Sequence, residues 1–249
     1  MVKKRTIFMG ILNVTPDSFS DGGKYFQIED AIKHTEKLIN DGADIIDIGG
    51  ESTRPGAELI SEEEELKRVI PIIYELKKRF PDIFISIDTY KSNVAQLALN
   101  AGAKMINDVS GLTMDPDMVH VAAKANCPIV IMHNRGIPAT KPDIALRQIV
   151  LEIYHWLQIQ SQYAIHNGIK KENIIIDPGL GFGKTAEEDL LLIENLKEFK
   201  SLGFLLLVGL SRKSFIRKLF PGDNIEKKSR ETVELAIKNG VNIVRVHEP

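Results

Sequence analysis

Eight short apolar runs recur along this chain of 249 residues, and they constrain its fold more than any other feature of the sequence. The runs are rich in β-branched and aliphatic residues and alternate little with polar ones, which is typical of strands buried on both faces of a parallel sheet. In chain order they are TIFMGIL, DIIDIGG, IFISIDT, KMINDVS, PIVIMHN, NIIIDPG, FLLLVGLS and NIVRVHE.

Helical patterns fill the segments between these runs. The segment 61–80, SEEEELKRVIPIIYELKKRF, begins with acidic residues and ends with basic ones, as the dipole of a helix favours. Ser61 followed by Glu64 predicts a capping box, and Pro71 predicts a kink in this helix rather than a break. An earlier helical pattern begins near Glu29, which leaves a long polar connection after the first run.

The regular alternation of strand and helix, without a linker-like stretch, predicts one α/β domain over residues 1–249. Eight such units in about 250 residues favour a TIM (β/α)8 barrel. A doubly wound open sheet is the alternative, but about six strands usually suffice for that fold.

The eighth run ends near His247 and the sequence ends at Pro249, so we expect a barrel that lacks its final C-terminal helix. The outer face of the eighth strand would then expose aliphatic side chains unless another element or a second copy of the chain covers it. A homodimer is therefore one expectation. The apolar residues of this strand are Val241, Ile243, Val244 and Val246.

Composition excludes several classes of function. The formal net charge of −2 and the isoelectric point near 6.3 give no reason to expect a nucleic acid partner. The single cysteine, Cys127, excludes an intramolecular disulfide and a cysteine metal cluster, and the histidines lack zinc-site spacing. No run reaches the ~18 apolar residues of a membrane span, so we expect a cytoplasmic protein without a membrane partner.

Polar side chains follow the apolar body of every predicted strand. In a TIM barrel the carboxyl ends of the strands line the active site. Caps of the following helices explain one or two such residues, but not a full set in register. The residues at these ends are Asn13, Asp47, Asp88, Asn107, His133, Asp177, Ser211 with Lys213, and Arg245 with His247.

The sequence allows more than one role for Asp88 and Asp177. Each could cap a helix, and together they could be the two carboxylates of a glycosidase. A carboxylate beside the amide of Asn107 could also bind a flat heterocycle that presents adjacent ring N–H and amino donors.

The stretch DPGLGFGKT resembles a nucleotide-binding loop without being one. A Walker A motif needs a glycine five positions before the glycine of its Gly-Lys pair, and Pro178 occupies that position relative to Gly183. We expect these glycines to let the backbone approach a ligand instead.

Arg54, Lys213 and Arg245 are expected on the same rim of the barrel. Such a group of cations suits a phosphorylated or diphosphorylated substrate. The side-chain oxygen of Asn13 could complete a Mg²⁺ shell shared with phosphate oxygens and waters.

Several motifs together resemble those of the dihydropteroate synthase family, in order from Met9 to His247. They are MGILNVTPDSFSDGG, IDIGGESTRPGA, ISIDTYKS, INDVSG, IIDPGLGFGKT, VGLSRKSFI and RVHE. The resemblance implies a TIM-barrel transferase of folate biosynthesis that joins 6-hydroxymethyl-7,8-dihydropterin diphosphate to 4-aminobenzoate. It implies release of pyrophosphate and 7,8-dihydropteroate, Mg²⁺ as cofactor, and sulfonamides as competitors.

The resemblance also implies roles for individual residues. The implied pterin pocket comprises Asp88, Asn107, Asp177 and Lys213. The implied diphosphate and Mg²⁺ site comprises Asn13 as metal ligand, Arg245 and His247. The implied 4-aminobenzoate side comprises Thr53, Arg54, Pro55, Phe182 and Ser211, with Phe19 from the first long loop. Asp47 is a further substrate-binding candidate, and the residues expected at the reaction itself are Asn13, Asp88, Lys213 and Arg245. The loops 14–23 and 52–56 are expected to close over bound pterin.

Two other functions stay open. A pterin-binding methyltransferase would share Asp88, Asn107 and Asp177, but it has no need of the SRKS motif or Arg245. A catalytically silent homologue would be expected to lose residues such as Asn13 or Arg245, and both are present.

Overall fold

The computed structural model describes residues 5–15, 24–52, 58–135, 148–210, 216 and 222–249. Within them, eight parallel strands form a closed barrel in chain order, as the apolar runs predicted. The strands are β1 (Ile7–Asn13), β2 (Ile45–Gly49), β3 (Phe84–Asp88), β4 (Met105–Asp108), β5 (Ile129–Met132), β6 (Ile174–Asp177), β7 (Leu205–Gly209) and β8 (Ile243–Val246).

The barrel closes where its last strand pairs with its first. Ile7 stands opposite Ile243 and Gly10 opposite Val246, in the same parallel sense as every other pair. The register is continuous on the next pairs, where Asn13 stands beside Gly49 and Gly49 beside Asp88. The open-sheet alternative is therefore wrong.

Helices separate the strands. In the part of the chain that the structure describes they are α1 (Lys24–Asn40), α2 (Glu62–Arg79), α3 (Ser92–Ala101), α4 (Met118–Ala125), α5 (Ile149–His166), α6 (Ala186–Glu194), α7 (Leu196–Phe199) and α8 (Ile225–Lys238). Short 3-10 turns lie at Lys171–Asn173 and Lys200–Leu202.

Helix α1 begins earlier than the sequence pattern indicated. It starts at Lys24 rather than near Glu29. Within the helix, Ile28 packs against the same core as Ala31 and Leu38. The connection after β1 is shorter than expected.

Helix α2 follows its sequence signals with one difference. The helix continues through Pro71 without a break, as predicted. Ser61 Oγ accepts a hydrogen bond from Glu64 N at 3.2 Å. The Glu64 carboxylate bonds Arg68 Nε at 2.9 Å. A reciprocal capping box forms instead at the start of α6, between Thr185 and Glu188.

Two layers of apolar side chains fill the structure. Alternate strand residues point into the barrel or outward against the helices. The inner layer contains Met9, Ile45, Met105, Val130, Ile175, Leu207 and Ile243. The outer layer, between strands and helices, is continuous from Leu12 through Ile106 to Val244.

The outer face of β8 is buried within this single chain. Val244 is fully buried and Val246 is 5 % exposed. Both belong to the outer core that also contains Leu38 of α1 and Ala236 of α8. No helix follows β8 among residues 247–249, yet the expectation that its aliphatic side chains face water is wrong, because the helices beside it complete the packing.

The inward positions change from apolar to polar toward the carboxyl ends of the strands. Ile175 is followed two residues later by Asp177, and Ile243 by Arg245. Met105 is followed in the same way by Asn107, and Ile45 by Asp47. An apolar floor therefore supports a polar mouth at the carboxyl end of the barrel.

Candidate active site

Four residues stand side by side at this mouth on successive strands. Asn13, Gly49, Asp88 and Asn107 are register partners across β1 to β4. A Cβ at Gly49 would lie 3.6 Å from Asp88 Oδ2 and 3.8 Å from Asn13 Oδ1. The glycine therefore leaves a space about one side chain wide between an amide oxygen and a carboxylate.

Arg245 joins the carboxylates of two other strands. Its Nε lies 2.6 Å from Asp47 Oδ2, and its Nη2 lies 2.6 Å from Asp88 Oδ2. The same Asp47 oxygen accepts a hydrogen bond from Asn107 Nδ2 at 2.9 Å. Residues from β2, β3, β4 and β8 thus form one hydrogen-bonded cluster, and all four were predicted as site residues.

Burial sets the charges in this cluster. It raises the pKa of Asp88 to about 7, against the opposing influence of Arg245, and the neighbouring Asp47 raises this pKa further. Burial also lowers the pKa of Arg245, but the carboxylates of Asp47 and Asp88 raise it more, so its net shift is upward. The guanidinium therefore stays charged between two carboxyl groups that compete for it.

Asp177 lies at the end of β6, another of the strands that meet at the mouth. Its charge contributes to the raised pKa of Arg245. Its Oδ1 accepts a hydrogen bond from Gly179 N at 2.7 Å, and the side chain is buried. Asp177 is therefore a fixed acceptor on the side of the mouth opposite β2.

Phe182 lies beside a small apolar patch at the mouth. The patch consists of Tyr90, Val109 and Met132, and Phe182 packs against it while staying partly exposed. These residues follow or end β3, β4 and β5. They give the polar cluster an apolar wall on one side.

His133 does not join the mouth, although it follows β5 as the sequence suggested. Its ring packs edge-on against Trp156 of α5, with centroids 5.0 Å apart. Burial, together with the nearby charges of Lys184 and Arg135, lowers the pKa of His133 to about 2. The residue is a neutral part of the layer between β5 and α5.

Sequence reasoning missed a buried ionic cluster behind the ends of β2 and β3. Lys91 Nζ lies 2.6 Å from Glu51 Oε2 and 2.5 Å from Glu65 Oε2. Glu51 Oε1 also accepts a hydrogen bond from Ile60 N at 2.9 Å. The cluster therefore joins both ends of the connection between β2 and α2. One signal pointed to it: Glu65 lies on the apolar face of α2 together with Val69.

Several predicted site residues lie outside the described residues. These are Phe19, Thr53, Arg54, Pro55, Ser211 and Lys213, as are most of the two loops expected to close. His247 is described: it follows β8, two positions beyond Arg245, and it is partly exposed.

Among the residues that the structure describes, no group of three or more His, Cys, Asp or Glu side chains is placed to hold a metal ion. In the same part of the chain, no helix is both long enough and apolar enough to cross a membrane. Cys127 is a buried free thiol.

A closed (β/α)8 barrel with carboxylate, amide and guanidinium groups at the carboxyl ends of its strands has the arrangement of a TIM-barrel enzyme. The sequence agrees with a more specific assignment. Residues 9–247 match the family described as pterin binding enzyme, and the chain belongs to that family.

Individual relatives are similar over nearly their full length. Dihydropteroate synthase of Clostridium beijerinckii is 48% identical over 250 residues, which cover 99% of this chain and 90% of the relative. The structure of Xanthomonas albilineans dihydropteroate synthase with 4-aminobenzoic acid has a TM-score of 0.89 at 41% identity, covering 98% of this chain and 88% of that one. The structure of the Anaplasma phagocytophilum enzyme with bound 6-hydroxymethylpterin-monophosphate has a TM-score of 0.86 at 37% identity, covering 97% of this chain and 93% of that one.

Proposed function

We propose that this chain is a transferase that condenses 6-hydroxymethyl-7,8-dihydropterin diphosphate with 4-aminobenzoate to give 7,8-dihydropteroate and pyrophosphate. The observation that carries the proposal is the cluster of Asp47, Asp88, Asn107 and Arg245 at the barrel mouth. The similarity to named dihydropteroate synthases, one of them solved with 4-aminobenzoic acid and one with a pterin phosphate, supports this assignment.

The pterin would bind through acceptors that line the mouth. A pterin ring presents adjacent N–H and amino donors, which a carboxylate accepts in pairs. Asp177 is a buried carboxylate that accepts a hydrogen bond from Gly179 N, and Asp88 and Asn107 are register partners at the ends of β3 and β4. Lys213 is assigned to the same pocket by the sequence motif alone.

The diphosphate would bind near β1 and β8. Arg245 is charged and lies at the mouth. When a substrate competes with Asp47 and Asp88 for its guanidinium, Arg245 can donate two hydrogen bonds to phosphate oxygens. His247 lies two residues further along the same strand exit. We assign both residues to the leaving group.

A Mg²⁺ ion fits the donor set at Asn13. Magnesium is commonly held by one or two protein oxygens, substrate phosphates and waters, so an acidic cage is not required. Asn13 Oδ1 borders the space over Gly49 at the strand ends. When bound, the ion would supply positive charge to the departing pyrophosphate.

The second substrate would lie against the apolar wall that Phe182 contributes. The motif residues Thr53, Arg54, Pro55, Ser211 and Phe19 are assigned to this side as well. A sulfonamide that mimics 4-aminobenzoate is expected to compete there.

The reaction needs leaving-group stabilisation more than a strong base. The bond between the pterin methylene carbon and the diphosphate oxygen breaks, and its electron pair leaves with pyrophosphate. The electron-rich dihydropterin ring delocalises the positive charge on the methylene carbon. The arylamine nitrogen then forms the new C–N bond and releases its proton to solvent. Arg245 stabilises the departing charge, while Asp88, Asn107 and Asp177 hold the ring in place.

A direct assay tests this proposal. The protein is incubated with pterin diphosphate, 4-aminobenzoate and Mg²⁺, and we expect equal amounts of dihydropteroate and pyrophosphate. Arg245→Ala should abolish turnover. A rise in Tm with pterin diphosphate but no product would instead support a silent pterin-binding homologue. Transfer of a methyl group from methyltetrahydrofolate to a corrinoid would support the methyltransferase alternative.

We further propose that residues 1–249 act as one domain in the cytoplasm, and that the chain assembles as a homodimer. These statements rest on the continuous βα pattern, the single cysteine and the sequence resemblance. Sedimentation of the purified protein measures the oligomeric state.

A further inference from the structure

The loop that leaves β6 is braced by a lysine that the site described above does not use. The loop runs over residues 178–184 and has positive φ angles at Gly179, Gly181 and Gly183. Lys184, the lysine of the failed Walker A motif, is 7 % exposed and lies inside the loop.

The ammonium group of Lys184 is surrounded by backbone carbonyls. Its Nζ donates to Gly179 O at 2.7 Å, to Phe182 O at 3.3 Å and to His133 O at 3.3 Å. A lysine ammonium has three donors, and these three carbonyls use them. The side chain therefore organises the loop instead of binding phosphate.

These contacts connect Lys184 to Asp177. Gly179 donates its N–H to Asp177 Oδ1 at 2.7 Å, while its carbonyl receives the shortest bond from Lys184. The same carbonyl also accepts from Phe182 N at 3.2 Å. One peptide segment therefore links the lysine, the acceptor carboxylate and the aromatic residue.

The residue that follows β5, His133, also lies against Gly179. A Cβ at Gly179 would lie 1.9 Å from His133 O, so only glycine fits here. Lys184 donates to that same His133 carbonyl, and it therefore holds the β5 and β6 exits together.

A second layer of charges holds the loop from outside. Asp189 Oδ1 accepts from Gly181 N at 2.9 Å. Arg135 Nη1 donates to Gly183 O at 3.1 Å and to Glu188 Oε2 at 3.0 Å. Burial lowers the pKa of Lys184 to about 7, although the nearby carboxylates of Asp189 and Asp177 oppose this effect.

We propose that Lys184 is a positioning residue for pterin binding: by tying together the carbonyls of His133, Gly179 and Phe182, it fixes the direction of the Asp177 carboxylate. The inference rests on the proposed function, because it assigns Asp177 to the pterin. It predicts that losing the ammonium group weakens pterin binding although Lys184 never touches the ligand.

The test compares Lys184→Met and Lys184→Gln with the wild type. Calorimetry measures the Kd of 6-hydroxymethylpterin monophosphate at a temperature where each variant is folded. We expect the Kd to rise at least tenfold in Lys184→Met. It should rise less in Lys184→Gln, whose amide keeps two N–H donors for the carbonyls.

A matched control separates positioning from general loss of stability. Leu76→Ala removes a fully buried side chain from α2, which shares none of the hydrogen bonds that hold the loop, and it should lower the Tm without moving the loop. We expect this variant to keep the wild-type Kd. If Lys184→Met does not fold, the comparison of Lys184→Gln with Leu76→Ala decides.

The outcomes distinguish the two proposals. A wild type that does not bind the pterin phosphate counts against the proposed function. A wild type that binds it, with a Kd unchanged in both Lys184 variants, overturns the role of Lys184 alone. An equal loss of affinity in Leu76→Ala also overturns it.

Discussion

At the scale of single residues, the carboxylates at the mouth of the barrel share a small number of hydrogen-bond donors. Arg245 serves both Asp47 and Asp88, and Asn107 serves Asp47 as well. Any ligand that brings its own donors to Asp88 therefore frees part of the guanidinium for an anion. If the proposed function holds, binding of a heterocycle and binding of its phosphate group are therefore expected to be coupled through Arg245.

Asp177 gives the first prediction at this scale. Asp177→Ala would leave the donor edge of a buried pterin unpaired, which costs about 1–3 kcal/mol, or more for a charged acceptor. We expect the pterin Kd to rise about tenfold or more in calorimetry. Asp177→Asn is the matched variant, because its amide oxygen can still accept from Gly179 N. An unchanged Kd in both variants would remove Asp177 from the pocket.

His133 gives a second prediction, on pH dependence. Its ordinary pKa is 6.5, whereas burial lowers the pKa in the folded protein to about 2. Below pH 6.5 the unfolded chain binds a proton that the folded chain does not, so stability falls as the pH falls. The slope is about 1.4 kcal/mol per pH unit until the folded state itself titrates.

His133→Asn should remove this dependence. The groups that face the ring are Lys184, Arg135 and, at 4.0 Å, Glu152, and they stay unchanged in the variant. Urea unfolding of both proteins at pH 7 and pH 5 measures the effect. We expect the wild type to lose about 2 kcal/mol more than the variant between these pH values. Parallel losses would contradict a neutral, buried His133.

At the scale of elements, helix starts differ in how completely they are capped. Thr185 and Glu188 satisfy each other's backbone N–H groups at the start of α6. At the start of α2, Ser61 accepts from Glu64 N, while the Glu64 carboxylate bonds Arg68 instead. Both helix starts have the Ser/Thr-x-x-Glu pattern of a capping box, so the tertiary contacts of the glutamate decide whether the reciprocal hydrogen bond forms.

This difference predicts unequal stability losses when the third residue of each helix is truncated. Glu188→Ala leaves the Thr185 N–H without its side-chain acceptor and removes the buried bond to Arg135, so it should cost about 1–3 kcal/mol. Glu64→Ala removes only a half-exposed pair with Arg68 and should cost about 0.3–0.5 kcal/mol. Chemical unfolding of both variants under the same conditions provides the comparison, and equal losses would show that the reciprocal bond at α6 contributes little.

The eight strands could be predicted from sequence because burial on both faces leaves an unbroken apolar run. The polar positions at their ends were predictable for the same reason, since a polar residue such as Asp47 or Asn107 interrupts that run. The partners of these residues were not predictable, because Arg245 meets Asp88 only when the barrel closes. The bonds from Lys184 to backbone carbonyls could not be predicted, because a lysine after a glycine is more typical of a phosphate ligand or a surface residue.

At the scale of the whole molecule, the burial of β8 within its own chain predicts that the stability of this strand does not depend on protein concentration. Val246 is buried by side chains of its own chain, so its packing needs no second copy. Val246→Ala should cost about 2 kcal/mol and lower the Tm by several degrees. Calorimetry over a wide range of protein concentration should give the same Tm shift throughout. A shift that changes with concentration would indicate that another chain covers this face.

The ion pairs of Arg245 also have a consequence for how the chain folds while the ribosome synthesises it. They join residues separated by 198 and 157 positions in the sequence. A ribosome adds about 5–20 residues per second, so Asp47 and Asp88 are made on the order of ten seconds before the guanidinium that they share. A nascent chain that lacks β8 holds two neighbouring carboxyl groups with no counter-ion from the last strand. The hydrogen-bonded cluster around Arg245 therefore forms only after the final strand is translated and closes the barrel.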